Sequence, residues 1–131
     1  MIVGTEWLVE AAGCDKAALR DEAILRRILD LVIEQLGLNA VGAVWNKFGG
    51  EGGVTGLIAL TESHLACHTY PEHGTATFNL YCCNARPPWD WEKQLKLRLQ
   101  ATTVTVTRIE RGSGVQHSEG GIAFGIAGGD V

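Results

Sequence analysis

The residues best suited to chemistry lie between Gly53 and Glu72, GVTGLIALTESHLACHTYPE, where one serine, Ser63, stands between an acid, Glu62, and a histidine, His64. Two strand-like runs meet at that serine. Gly53 to Thr61 is rich in Val, Thr, Ile and Leu, and His64 to Tyr70 alternates, so both read as β-strand rather than helix. Thr61-Glu62-Ser63 leaves room only for a tight turn, and a serine hydroxyl held there can lie close to the carbonyl of the residue before it. Alternation along the second run places His64, Ala66, His68 and Tyr70 on one side and Leu65, Cys67 and Thr69 on the other. The plain alternative is that Ser63 caps a turn and His68 is a hydrogen-bonded core or interface histidine.

Two other chemistries can be weighed from spacing alone. His64, Cys67, His68, Cys82 and Cys83 are all metal-ligand types. They contain no C-x-x-C pair, and His64 and Cys67 point to opposite faces, so zinc binding is disfavoured and no metal is expected. The glycine-rich Gly49 to Gly53 could in principle cradle a phosphate, but the Gly-Lys-Ser/Thr and helix that a P-loop requires do not follow. A flexible turn or an active-site lid fits better.

At 131 residues, 46% hydrophobic and 20% charged, the chain suits one compact domain with a real core. A net charge of −4 without a Lys/Arg cluster argues against nucleic acid and for a small or cationic partner. The first residues carry Glu6 and Glu10 and lack a signal-peptide pattern, and no apolar run approaches the ~20 residues of a membrane span. A soluble, cytoplasmic protein is therefore expected. Cys14, Cys67, Cys82 and Cys83 read as reduced thiols, because strand neighbours such as 82 and 83 face opposite ways.

The elements that must hold the central stretch follow from periodicity. Gly4 to Ala12 reads as a strand with Trp7 and Val9 on one face and Glu6, Leu8 and Glu10 on the other. An amphipathic helix then runs from an Asp15 N-cap to a Gly37 stop, burying Leu19, Ile24, Leu25, Ile28, Leu29, Val32, Ile33 and Leu36, with Asp21 on the solvent face. Leu38 to Phe48 reads as a strand feeding Ala40, Val41 and Val44 into the core. Thr75 to Cys83 reads as another, with Ala76, Phe78, Leu80 and Cys82 opposed to Thr77, Asn79, Tyr81 and Cys83. A second helix spans Trp89 to Leu99, burying Trp89, Leu95 and Leu99 and leaving Trp91, Glu92 and Lys96 partly exposed. Thr102 to Ile109 closes the fold as a β-branched strand. Residues 112–131 form a Gly-rich tail expected to be disordered. This order implies an α+β two-layer sandwich, a mostly antiparallel sheet with two helices on one face.

The run from Thr61 to Glu72, TESHLACHTYPE, resembles the processing site of the bacterial S-adenosylmethionine decarboxylases, pyruvoyl enzymes of polyamine synthesis. The likeness extends to Gly53-Val54-Thr55-Gly56 and Phe78 to Cys83, and more weakly to Gly4–Asp15 and Glu110-Arg111-Gly112, so residues 1–111 form one such domain. It implies that Ser63 attacks the Glu62 carbonyl and becomes a pyruvoyl group heading a new chain. It also implies that His68 serves processing, that Thr55 stands where the family has a proton-relaying serine, and that Cys83 protonates the substrate carbon after carbon dioxide leaves. Glu72 then binds ribose hydroxyls, and Phe48 is the candidate aromatic against adenine. The Asn46-Lys47-Phe48 run and the following glycine loop depart from the family pattern on the substrate side.

The implied function is decarboxylation of S-adenosylmethionine to the aminopropyl donor for spermidine, with a covalent pyruvoyl cofactor in a homodimer. The implied alternatives are the same scaffold acting on arginine or ornithine, and an uncut relative that binds a nucleoside or partner without catalysis.

Overall fold

The structure, a computed structural model, describes residues 1–114; of the tail expected to be disordered, 115–131 lie outside that range. Alternating sequence becomes strand at β1 (Ile2–Ala12), β2 (Ala40–Lys47), β3 (Val54–Leu60), β4 (His64–Tyr70), β5 (Thr75–Cys82) and β6 (Thr103–Gly112). Helices α1 (Lys16–Leu19), α2 (Glu22–Leu36) and α3 (Trp91–Leu99) punctuate them. The six strands form one sheet in the order β2-β3-β4-β5-β1-β6. All of its pairings are antiparallel.

Every second residue of the inner strands points into a single hydrophobic layer. Val9 and Ala11 of β1, Ile58 and Leu60 of β3, Leu65 and Cys67 of β4, and Phe78 and Leu80 of β5 are buried. They pack with Leu25, Ile28, Leu29 and Val32 of α2 and Trp91, Leu95 and Leu99 of α3 in one contiguous core. Fully burying such side chains is worth roughly 1.5–3 kcal/mol each, which makes this layer the main source of stability. The expected two-layer α+β sandwich is the observed one. The sheet face away from the helices carries the alternate residues, including His64, Ala66 and His68 of β4 and Thr77 and Asn79 of β5.

Four expectations need correction. The single helix from Asp15 is two: Asp15 accepts from the Ala18 amide at 3.0 Å to cap α1, and Asp21 accepts from the Ala23 amide at 3.0 Å to cap α2. An aspartate that can satisfy backbone donors starts a helix rather than decorating its side. Gly37 does end α2, at φ 66°. Strand β2 is the sheet edge: Val44 (66% exposed) pairs with Leu57 on the face away from the helices, Val41 (69%) sits at a register shift, and Ala40 is exposed with them, so none feeds the core. Trp45 alone reaches back, under the Arg26 guanidinium 4.8 Å from its ring. Helix α3 starts two residues later than expected, at an Asp90 cap, and Trp91 shares the face of Leu95 and Leu99 at four-residue spacing, packed against Phe78 (centroids 5.4 Å) and Trp89 (4.8 Å). Trp91 is buried, not partly exposed. Finally, β6 continues past Ile109 to Gly112, held against β1 across Ile2 to Ala12.

Candidate active site

The β3–β4 connection is as short as the sequence implied: Leu60 donates its amide to the Ser63 carbonyl at 2.9 Å, closing a turn with Glu62 and Ser63 at its tip. The two residues after β5, which ends at Cys82 rather than the expected Cys83, grip that tip. The Cys83 amide donates to Ser63 Oγ at 3.3 Å, the Cys83 thiol meets the Glu62 carbonyl oxygen, and Asn84 Nδ2 donates to Glu62 Oε1 at 2.8 Å. A polar niche of about 20 Å³ adjoins them, lined in part by Asn39, Thr61, Asn84 and Arg86. The residue that follows β5 thus places a donor on the hydroxyl after the 62–63 bond and another on the carbonyl before it.

A second cluster lies at the far end of the same hairpin. Thr55 and His68 are cross-strand partners, and Thr55 Oγ1 lies 3.2 Å from His68 Nδ1. They line a cavity of about 340 Å³ together with Phe48, Tyr70 and Glu72. Its floor is fixed by Thr69, a buried polar side chain that accepts from the Val54 amide at 2.8 Å and donates to the Leu19 carbonyl at 2.7 Å. Phe48 is held over the opening by the glycine loop, which closes through its amide on the Gly53 carbonyl at 2.9 Å. Glu72 sits on the short 3-10 turn Pro71–His73, exposed at the rim.

The seven sequence-selected residues therefore fall into two groups. Glu62, Ser63 and Cys83 are together, and so are Phe48, Thr55, His68 and Glu72. Within one chain the groups do not meet, since the extended run from Ser63 to His68 separates them by about 16 Å.

The thiols divide in the same way. Burial pushes the Cys67 thiol up to about 12, offset in part by a hydrogen bond with Gly56, and raises Cys14 as well. Cys82 is raised by burial against the opposing pull of Arg86. Cys83 alone among the four is exposed.

Sequence reasoning missed a third arrangement on the open face. His64 Nε2 lies 2.8 Å from Asn79 Oδ1, Asn79 donates to Glu6 at 2.6 Å, and Arg111 donates to the other Glu6 oxygen at 2.6 Å. Four strands supply these residues. Strand parity groups His64 with His68 and Asn79 with Tyr81, but the register that joins His64, Asn79, Glu6 and Arg111 cannot be read along the chain. Among the described residues no group of three or more His, Cys, Asp or Glu side chains is placed to hold a metal ion.

Fold and site together define a two-layer α+β domain with a serine turn gripped by a cysteine at one end of an open sheet face and a ligand-sized pocket at the other. Residues 5–112 match the S-adenosylmethionine decarboxylase family. The S-adenosylmethionine decarboxylase proenzymes of Acetivibrio thermocellus and Clostridium tetani are each 33% identical over 111 residues, covering 84% of this chain and 89% and 87% of theirs. That of Archaeoglobus fulgidus is 34% identical over 83 residues, 63% of this chain and 73% of its own. The crystal structure of the adenosylmethionine decarboxylase from Aquifex aeolicus superposes with a TM-score of 0.72 at 24% identity, covering 89% of this chain and 97% of that one. The chain belongs to the S-adenosylmethionine decarboxylase family.

The site makes Cys83 the reactive thiol of the folded protein. Iodoacetamide at pH 8 is expected to modify Cys83 first. Cys14, Cys67 and Cys82, enclosed and held protonated above their ordinary range, should react only after denaturation. Mass mapping of the alkylated peptides checks this, and early labelling of any buried thiol contradicts it.

Proposed function

We propose that this protein decarboxylates S-adenosylmethionine through a pyruvoyl group made from its own Ser63. The observation that carries the reading is the double grip of Cys83 on the Glu62–Ser63 turn. A donor on the Glu62 carbonyl polarises it toward attack, and the contact on Ser63 Oγ fixes the nucleophile beside it. Attack by Oγ converts the peptide to an ester. Elimination then frees the Glu62 carboxylate, and water replaces the nitrogen of residue 63 with loss of ammonia. The local residues fit the group that results, because the Cys83 amide that touches Ser63 Oγ can donate equally to a carbonyl oxygen at residue 63. When present, the pyruvoyl group supplies a carbonyl that draws electrons from the substrate α-carbon as carbon dioxide leaves.

The chain's other residues have separable tasks. Thr55 and His68 meet in a hydroxyl–imidazole contact along which a proton can pass during processing. Thr55 adds a methyl to the serine of the family pattern and so stiffens χ1, which favours slower self-cleavage than a serine there. Glu72 offers two acceptor oxygens to a ribose diol, and Phe48 offers a ring face to adenine. Cys83 is the proton donor to the substrate carbon.

Because the two clusters stand about 16 Å apart along β4, a complete site takes one cluster from each of two copies. A two-fold axis between facing open sheets, crossing the strands, sets the Ser63 end of one copy against the His68 end of the other. The open face supports such packing with exposed Leu57, Val44 and Tyr70 among its polar groups. The homodimer would then hold two sites, each built from both chains.

Two measurements test this reading. With carboxyl-labelled S-adenosylmethionine, arginine and ornithine supplied in parallel, carbon dioxide is expected from the first alone. Release from only a basic amino acid would keep the chemistry and replace the substrate. For the shared site, inactive Cys83→Ala and inactive His68→Ala chains, co-expressed and processed, should regain up to about a quarter of wild-type activity, since random pairing makes half the dimers mixed and each mixed dimer holds one intact site of two. No recovery in a verified mixed dimer contradicts it.

A further inference from the structure

We propose that His64 is a positioning residue that anchors residue 63 once the 62–63 bond is broken. The inference rests on the reading of Ser63 as the pyruvoyl position. Cutting that bond turns a turn residue into a chain end, and chain ends fray unless they are tied down. The first side chain beyond the new end is His64. Its partner on β3 is Ala59, which has only a methyl to offer, so the hold must come from the β5 side.

There the bonds have only one consistent direction. Arg111 Nη1 and Asn79 Nδ2 both donate to the Glu6 carboxylate, each at 2.6 Å. The Asn79 amide oxygen is left as an acceptor, so His64 Nε2, 2.8 Å away, is the donor and the ring carries its proton on that nitrogen. Every bond points toward Glu6, whose side chain is 17% exposed, and the line crosses β4, β5, β1 and β6. The imidazole also stacks on Tyr81, its cross-strand partner, with centroids 5.7 Å apart at 26°. The Arg111 guanidinium also lies over that ring, 5.8 Å from its centroid. Tyr81 can lie there because residue 4 is glycine; a Cβ at Gly4 would collide with the phenol end of the ring. None of these groups belongs to the serine turn or to the pocket. Together they clamp the residue that becomes the immediate neighbour of the reacting carbonyl.

An anchor of this kind acts on how often the reacting carbonyl is in place, so it affects turnover more than substrate binding. The test compares His64→Asn, His64→Gln and Asn79→Ala for 62–63 cleavage, and then for kcat and KM with S-adenosylmethionine on the processed protein. The glutamine amide reaches about as far as Nε2 and can restore the donor to Asn79, whereas asparagine falls short. His64→Asn and Asn79→Ala are expected to lower kcat about 10- to 100-fold with KM within about threefold. His64→Gln should recover most of the loss, and the double variant His64→Asn/Asn79→Ala should be no worse than the poorer single one.

Wild-type kcat in His64→Asn, or a His64→Gln as poor as His64→Asn, overturns the proposal, as does a double variant showing the product of both losses. Should His64→Asn fail to fold, Asn79→Ala alone decides: wild-type kcat overturns the proposal, and a loss in kcat at constant KM supports it. A wild-type protein that is never cut removes the pyruvoyl reading and the anchor with it. A wild-type protein that is cut and active beside an equally active His64→Asn removes the anchor only.

Discussion

The constraint on which the site depends is the two-residue alternation of an antiparallel sheet. Once Leu65, Cys67, Phe78 and Leu80 are committed to the helix-covered core, their neighbours have no choice of face. His64 and His68 must emerge on the open side, and with them Thr55, Asn79 and Tyr81. A one-residue slip in β4 would exchange these sets, burying two histidines and exposing a leucine. The energy that protects the chemistry is therefore spent on the opposite surface, in the apolar layer against α2 and α3.

The same rigidity separates the chemistry in space. A β-strand cannot fold back between Ser63 and His68, so the Ser63 turn and the His68 imidazole are held at opposite ends of one hairpin. In the proposed function each cluster is half of a site. The open face, with apolar Leu57 and Val44 beside polar Thr55 and Asn46, is suited to close on its own symmetry mate and bring the halves together.

Much of this was legible in the residues because strand parity is a local rule. The faces of β4 and β5, the Gly37 stop and the layer architecture follow from alternation and capping alone. What failed was phase and edge. Trp91 belongs to the face of Leu95 and Leu99 by its four-residue spacing, whereas Trp89 precedes the Asp90 cap and is buried from outside the helix. Asp21 reads as a surface charge in the sequence because a continuous amphipathic pattern hides a break that only the backbone donors reveal. Val41 and Val44 were placed in the core because nothing along the chain says which strand will be last in the sheet. At the site, the chemical residue types were visible, but their division into two clusters and the line from His64 to Arg111 depend on cross-strand register.

The central claim is that the backbone opens itself between Glu62 and Ser63. Intact-protein mass spectrometry of freshly purified chain, before and after treatment with a hydrazine, tests it most directly. The account predicts a fragment ending at Glu62 and a second beginning at former residue 63, lighter by one ammonia than a serine-headed chain and shifted by one hydrazone. A single uncut mass that ignores the hydrazine would contradict it.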